Sequence, residues 1–77
     1  MDFRNYKSEI QNYFQKRDKC REVVGYRLKS RTGPDHAPQF EVEAVYQGRV
    51  IGVGVGKNRK TADAAAAKQA VERYIKG

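Results

Sequence analysis

Three cations, Lys57, Arg59 and Lys60, flank Asn58 where the sequence changes from strand-like to helix-like. Residues 51–56 alternate between apolar residues and glycine, and Asn58 is of a type preferred at helix N-caps. The first turn of a helix presents unpaired N–H groups and a positive dipole end, so added cations weaken it unless an anion lies over it. Phosphate is readily bound there. This spacing therefore favours a phosphate-binding site, and the alternative is a solvated charge run without a partner.

Residues able to support catalysis are few in this chain. The only histidine, His36, lies in a predicted loop over residues 32–38, and the only cysteine, Cys20, lies in a charged segment without a nearby histidine. His36 is either simply exposed at the loop tip or a hydrogen-bonding contact to a ligand. Glu41 and Glu43 are interpreted as solvent-facing partners of basic residues across a sheet. We therefore predict no catalytic site and no metal or cofactor in this chain.

Composition limits the chain to one small domain, over residues 1–77, whose partner is anionic. The chain has 16 Lys and Arg residues and nine Asp and Glu residues, which gives a formal net charge of +7 and a pI of about 9.8. Nucleic acid is the first candidate partner for such a balance. No apolar run is long enough for a signal peptide or a membrane span, and a single thiol is typical of a reducing compartment. We therefore expect a cytoplasmic protein without a membrane partner or a small-molecule substrate.

The first predicted element is an amphipathic helix over residues 2–17. Its apolar stripe follows helical spacing and comprises Phe3, Tyr6, Ile10, Tyr13 and Phe14. A second stripe is polar but nearly uncharged and comprises Arg4, Ser8, Gln11 and Gln15. From Ser8 to Gln15 this row extends over about 10 Å, and it suits a shallow surface bearing hydroxyls and base edges, such as the minor groove of an A-form duplex. The alternative is a plain solvent-exposed face.

Three predicted strands follow, over residues 23–31, 39–46 and 49–56. In the first, Arg27, Lys29 and Arg31 share a basic outer face. In the third, Gly52, Gly54 and Gly56 share a face, which indicates close approach of the alanine-rich helix that comes next. The predicted fold is α+β, in the order α-β-β-β-α, with two helices packed on one face of a three-stranded antiparallel sheet.

Four motifs in this order resemble the double-stranded RNA-binding domain. They are the helix Tyr6–Gln15 (YKSEIQNYFQ), the loop Gly33–His36 (GPDH), Phe40-x-Val42, and residues 54–62 (GVGKNRKTA) with Ala66 and Ala67. The match covers essentially the whole chain. The loop and the first helix are most similar to the C-terminal domain of bacterial ribonuclease III.

The resemblance implies three contact patches on an A-form duplex. Ser8, Gln11 and Gln15 would enter one minor groove, and the loop residues Gly33, Pro34, Asp35 and His36 would enter the next. The segment Lys57, Asn58, Arg59 and Lys60 would meet the phosphates of the intervening major groove. The family usually has Ser-Lys-Lys at 58–60, so Arg59 brings a cation of different shape.

The function implied by the resemblance is shape-selective binding of double-stranded RNA. The chain would then be the substrate-binding domain of a ribonuclease III-type endoribonuclease in RNA processing. Cleavage, with its magnesium, belongs in that family to a separate domain absent here, so this chain by itself is expected to bind RNA and not cut it. The alternatives are a stand-alone RNA-binding domain and a protein–protein interaction module on the same fold.

Overall fold

A computed structural model of the chain describes residues 5–19 and 22–76, with the side chain of Lys76 left out. These described residues form two α-helices, three strands and a π-helical turn that continues the second helix. In chain order they are α1 (Tyr6–Asp18), β1 (Gly25–Thr32), β2 (Gln39–Tyr46), β3 (Arg49–Gly56), α2 (Arg59–Val71) and the turn Glu72–Lys76.

The first helix begins later than its sequence pattern predicts. Asn5 is its N-cap, with φ −93° and ψ 89°, and its Oδ1 accepts a hydrogen bond from the Ser8 backbone N–H at 3.1 Å. The helix therefore begins at Tyr6 and not at residue 2, and Lys19 ends it in the left-handed region. Phe3 and Arg4, predicted for the two stripes, lie outside the described residues, as does Cys20.

The sheet is antiparallel with the strand order β1-β2-β3, and both helices pack on one face of it, as predicted. The core between the sheet and the helices contains the ring of Phe14 from α1. Its centroid lies 4.2 Å from that of Tyr46 of β2, on which it stacks, and 5.4 Å from that of Tyr74, which it meets edge-on. The alanines of α2 complete the core against β3. The fully buried core residues of α2 are Ala62, Ala66, Ala67, Ala70 and Val71.

Glycines on β3 let α2 approach the sheet closely, as the sequence predicts. A Cβ at Gly52 would lie 2.5 Å from the Ala66 carbonyl oxygen, and one at Gly56 would lie 2.6 Å from the Ala62 nitrogen. Atoms at such distances overlap, so no larger residue fits without moving the helix. The position of the α2 N-terminus is therefore set by the backbone of β3.

Two β-bulges reverse the side on which particular residues lie. Ile51 has the parity of Val53 and Val55, but a register shift between Ala44 and Val45 leaves it without a ladder partner and turns it into the core, where it is 1% exposed. A second shift in β1 leaves Lys29 without a ladder partner in β2 and places Arg31 opposite Phe40. The predicted common outer face of Arg27, Lys29 and Arg31 is therefore wrong for Arg31.

Candidate nucleic-acid interface

The N-terminus of α2 is capped as the sequence predicts. Asn58 is extended, with φ −147°, and its Oδ1 accepts the Thr61 backbone N–H at 2.8 Å, while its carbonyl accepts the Ala62 N–H at 3.0 Å. No acidic residue lies in the first turn of α2. The positive end of this helix is therefore not neutralised from within its own first turn.

Lys57 and Lys60 extend from this terminus into solvent. Both are exposed, and within residues 5–19 and 22–76 neither makes an ion pair or a hydrogen bond. Two unpaired ammonium groups beside a capped helix start form a local excess of positive charge. An anionic backbone is the ligand that this arrangement attracts most strongly.

Arg59 differs from the two lysines because its guanidinium also braces the fold. Its Nε donates to Asp63 Oδ1 at 3.1 Å, and its Nη2 donates to the Tyr26 carbonyl oxygen at 2.8 Å. The side chain is 48% exposed, and its remaining N–H groups can still donate to a ligand. Arg59 thus fixes the start of α2 against β1, while the other N–H groups of its guanidinium remain available to a ligand.

A cluster behind these cations connects α1, β1 and α2. Asp63, whose side chain is 15% exposed, pairs with Lys7 at 3.5 Å as well as with Arg59, and the Lys7 Nζ lies 4.7 Å from the centroid of the Tyr26 ring. Burial, with a smaller contribution from the Asp63 charge, raises the pKa of Tyr26 to about 12. Its hydroxyl oxygen is buried and finds no hydrogen-bond partner in the described part of the chain. Tyr26 therefore stays neutral under physiological conditions.

In the predicted polar stripe of α1, two residues face solvent and one is hydrogen-bonded to the segment before β1. Ser8 and Gln15 are exposed, whereas Gln11 donates from Nε2 to the Glu22 carbonyl at 2.9 Å and accepts the Val24 N–H at its Oε1 at 2.8 Å. Gln11 thereby attaches the segment before β1 to the helix. Its second amide hydrogen and its second carbonyl lone pair remain for a ligand.

An open groove of about 450 Å³ runs beside this stripe, between α1 and the start of β1. Ser8 and Gln11 line it together with Asn12 and Val23, which are not part of the predicted stripe. Val23 is 71% exposed, so the groove has an apolar side as well as a polar one. Asn12 lies four residues after the stripe residue Ser8, so helical spacing could have identified it.

Gln11 faces the groove and also attaches the segment before β1 to α1, so its replacement should destabilise the domain. We expect Gln11→Ala to lower the free energy of unfolding by about 1–2 kcal/mol, since two hydrogen bonds are lost. Gln15→Ala should change it by less than about 0.5 kcal/mol, because the Gln15 side chain is exposed and makes no hydrogen bond with a described residue. Urea unfolding of the two variants checks this, and equal stability would mean that the Gln11 hydrogen bonds contribute nothing.

The β1–β2 connection, residues 33–38, presents the second predicted patch. Gly33 has φ +89°, and a Cβ there would lie 2.7 Å from the Ala37 carbonyl oxygen, so only glycine fits. The Ala37 N–H donates to the Pro34 carbonyl at 3.0 Å and closes a turn through Asp35 and His36. All of Gly33–His36 is exposed. His36 makes no contact with another described side chain that would fix it for acid–base chemistry.

The fold brings two of the three patches and the start of the third to one end of the domain. Phe40 at the base of the loop pairs with Gly56, which directly precedes Lys57, and the Lys7–Asp63 pair holds the first turn of α1 beside α2. Gln15 lies about 10 Å farther along α1 than Ser8. The loop, the start of α2 and the first turn of α1 therefore share one flank of the molecule, and Gln15 lies farther along α1.

Comparison with known proteins identifies the family. The pattern described as "Double-stranded RNA binding motif" matches residues 6–74. The chain belongs to this family. The chain is 40% identical over 72 residues to Ribonuclease 3 of Latilactobacillus sakei and 40% identical over 68 residues to Ribonuclease 3 of Streptococcus pyogenes. These alignments cover 94% and 88% of the chain but only 30% and 29% of the relatives.

A solved structure of the same family has the same fold. The solution structure of the second double-stranded RNA-binding domain of DRB4 superposes with a TM-score of 0.64 at 31% identity, covering 94% of this chain and 97% of that one. The predicted resemblance to the RNA-binding domain of ribonuclease III is thus confirmed. This chain holds that domain and not the catalytic domain of the enzyme.

The part of the chain that the structure describes has neither a membrane-spanning helix nor a cluster of metal-binding side chains. No helix there is both long enough and apolar enough to cross a membrane. No group of three or more His, Cys, Asp or Glu side chains there could hold a metal ion.

Proposed function

We propose that this chain binds double-stranded RNA by the shape of the A-form helix, as the substrate-binding domain of a ribonuclease III-type endoribonuclease. The observation that carries the proposal is a pair of exposed lysines, Lys57 and Lys60, at a capped helix terminus in a chain of this family, where neither has a partner among the described residues. A family module without nucleic-acid function has no need of unpaired cations there, which disfavours the interaction-only alternative.

Phosphates of the major groove would lie over the start of α2. Lys57 and Lys60 supply mobile point charges, and the helix dipole together with the available N–H groups of Arg59 supplies fixed ones. Neutralising phosphates releases condensed counterions, so this contact supplies affinity that falls as salt rises. The same contact is indifferent to base sequence. Asn58 contributes by holding the helix start in place.

Minor-groove contacts would supply the preference for RNA. Ser8, Gln11 and Gln15 present hydroxyl and amide groups along α1, and His36 presents a ring nitrogen at the loop, with the backbone of Gly33, Pro34 and Asp35 beside it. Such groups can donate to or accept from the ribose 2′-hydroxyl, which DNA lacks. Shape and hydroxyl pattern together would select the A-form duplex.

Within a larger protein, this domain would deliver double-stranded RNA to a catalytic domain. The chain spans about 30% of the Ribonuclease 3 relatives, so cleavage and its magnesium would reside in the remainder of such a protein. We propose RNA processing in the cytoplasm as the setting. The chain by itself would bind and release RNA without cutting it.

A binding panel tests the proposal directly. Gel-shift titrations with duplex RNA, duplex DNA, an RNA–DNA hybrid and single strands, each at two salt concentrations, should show the tightest binding to duplex RNA. Binding should weaken with salt for every ligand, because phosphate contacts are common to all. Equal affinity for duplex RNA and duplex DNA at both salts would indicate charge attraction alone. No binding of duplex RNA would overturn the proposal.

A further inference from the structure

The bulge at Lys29 gives Arg31 a position that strand alternation does not predict. Cross-strand partners in an antiparallel pair point to the same side of the sheet, and Arg31 is opposite Phe40. Phe40 packs against the core beneath the helices. The Arg31 Cζ lies 5.7 Å from the centroid of the Phe40 ring, which independently places the guanidinium on the helix side.

Arg31 is also a cation without a carboxylate partner. Its side chain is exposed, and its guanidinium makes no hydrogen bond or ion pair with a described residue. The two basic residues just before it are paired on the opposite side of the sheet. Arg27 lies 2.8 Å from Glu43, and Lys29 lies 3.5 Å from Glu41. Of these three strand cations, only Arg31 has its charge uncompensated within the described chain.

The surroundings of Arg31 connect two of the predicted patches. It is two residues before Gly33, where the loop begins. On its other side, Phe40 pairs with Gly56, and Lys57 follows. Since neighbouring strands are about 4.8 Å apart, the Arg31 backbone lies about 10 Å from Gly56. Arg31 therefore lies at the base of the loop, on the edge strand, two strands away from the residue that precedes the α2 cations.

We propose that Arg31 is a further phosphate-binding residue, which contacts the RNA backbone between the major-groove phosphates and the second minor groove. This inference rests on the proposed function and adds a contact to the same flank. Contact with the Phe40 ring restrains the guanidinium before RNA arrives, so less side-chain freedom is lost on binding. A planar guanidinium also matches two phosphate oxygens, which a lysine ammonium does not.

Substitution on the two sides of the sheet tests this contact. Arg31→Gln is compared with Lys29→Gln, which removes the same charge two residues away but on the opposite side. Duplex-RNA affinity is measured over a range of salt concentrations. We expect Arg31→Gln to weaken binding about three- to tenfold and to lower the salt slope by about 0.9, while Lys29→Gln leaves affinity within about twofold. Arg31→Lys should fall between wild type and Arg31→Gln.

The outcomes separate this inference from the function on which it rests. Equal weakening by Arg31→Gln and Lys29→Gln would reduce the effect to net charge and overturn the contact. Unchanged binding by Arg31→Gln would also overturn it, while tight binding of duplex RNA by the wild-type chain would still support the proposed function. Failure of the wild-type chain to bind duplex RNA would overturn both. Thermal unfolding of each variant shows that any loss of affinity occurs in a folded domain.

Discussion

Gly54→Ala should unfold this domain or lower its free energy of unfolding by about 3 kcal/mol or more. A Cβ at Gly54 would collide with the Ala66 backbone nitrogen and lie 2.5 Å from the Ala65 carbonyl carbon and 2.6 Å from the Ala62 carbonyl oxygen. All three atoms belong to the helix backbone, so no side-chain rotation relieves the overlap. A domain of this size has about 4–12 kcal/mol of total stability, and the loss removes a large part of it.

Gly25→Ala is the matched control for that substitution. Gly25 is exposed at the start of β1, and a Cβ there would meet only the Val45 carbonyl oxygen, at 3.9 Å. We expect a change within about 0.5 kcal/mol. Urea unfolding followed by circular dichroism compares the two variants. Equal midpoints for Gly54→Ala and Gly25→Ala would show that α2 can move away from β3 at little cost.

The order of elements could be predicted from sequence because it depends on local periodicity. Alternation marks the three strands, helical spacing marks the two helices, and Asn58 identifies the start of α2 since a cap acts on the next three residues. The glycines of β3 also indicated their neighbour correctly. Each of these signals is contained within a few positions of the chain.

The two bulges could not be predicted in the same way. Alternation assigns sides by counting, and an unpaired residue shifts the count for everything beyond it. Lys29 has no local signature of a bulge, so counting placed Arg31 on the wrong side of the sheet. Counting from the glycines of β3 likewise groups Ile51 with Val53 and Val55, whereas the bulge turns Ile51 into the core. Register is a property of two strands together, and one strand alone does not carry it.

Long-range hydrogen bonds were the other part of the site that the sequence did not reveal. The Arg59–Tyr26 bond joins residues 33 positions apart, and the Gln11–Val24 bond joins residues 13 apart. Arg59 and Gln11 are both predicted RNA contacts, yet Arg59 also connects α2 to β1, and Gln11 also connects α1 to the segment before β1. A domain that reads shape needs its patches at fixed separations, so bracing by the same side chains is consistent with that task.

Replacing Lys57 and Lys60 together should have the largest effect on binding. We expect Lys57→Ala/Lys60→Ala to weaken duplex-RNA binding about 10- to 100-fold at low salt and to lower the salt slope by about 2, since each phosphate contact contributes about 0.9. Lys60→Ala alone should lower the slope by about half as much and should weaken binding to all duplex sequences alike. Filter binding over a range of salt concentrations measures both quantities.

A second readout distinguishes loss of contact from loss of structure. Removing two cations from the positive end of α2 relieves an unfavourable interaction with the helix dipole, so the double variant should be as stable as wild type or more stable by a few tenths of a kcal/mol. Lys68→Ala/Arg73→Ala removes the same charge from the last turn of α2 and the π-helical turn after it, where both residues are exposed. That control should retain most of the affinity and slope. If it loses as much as the N-terminal pair, total charge governs binding and the start of α2 is not the phosphate site.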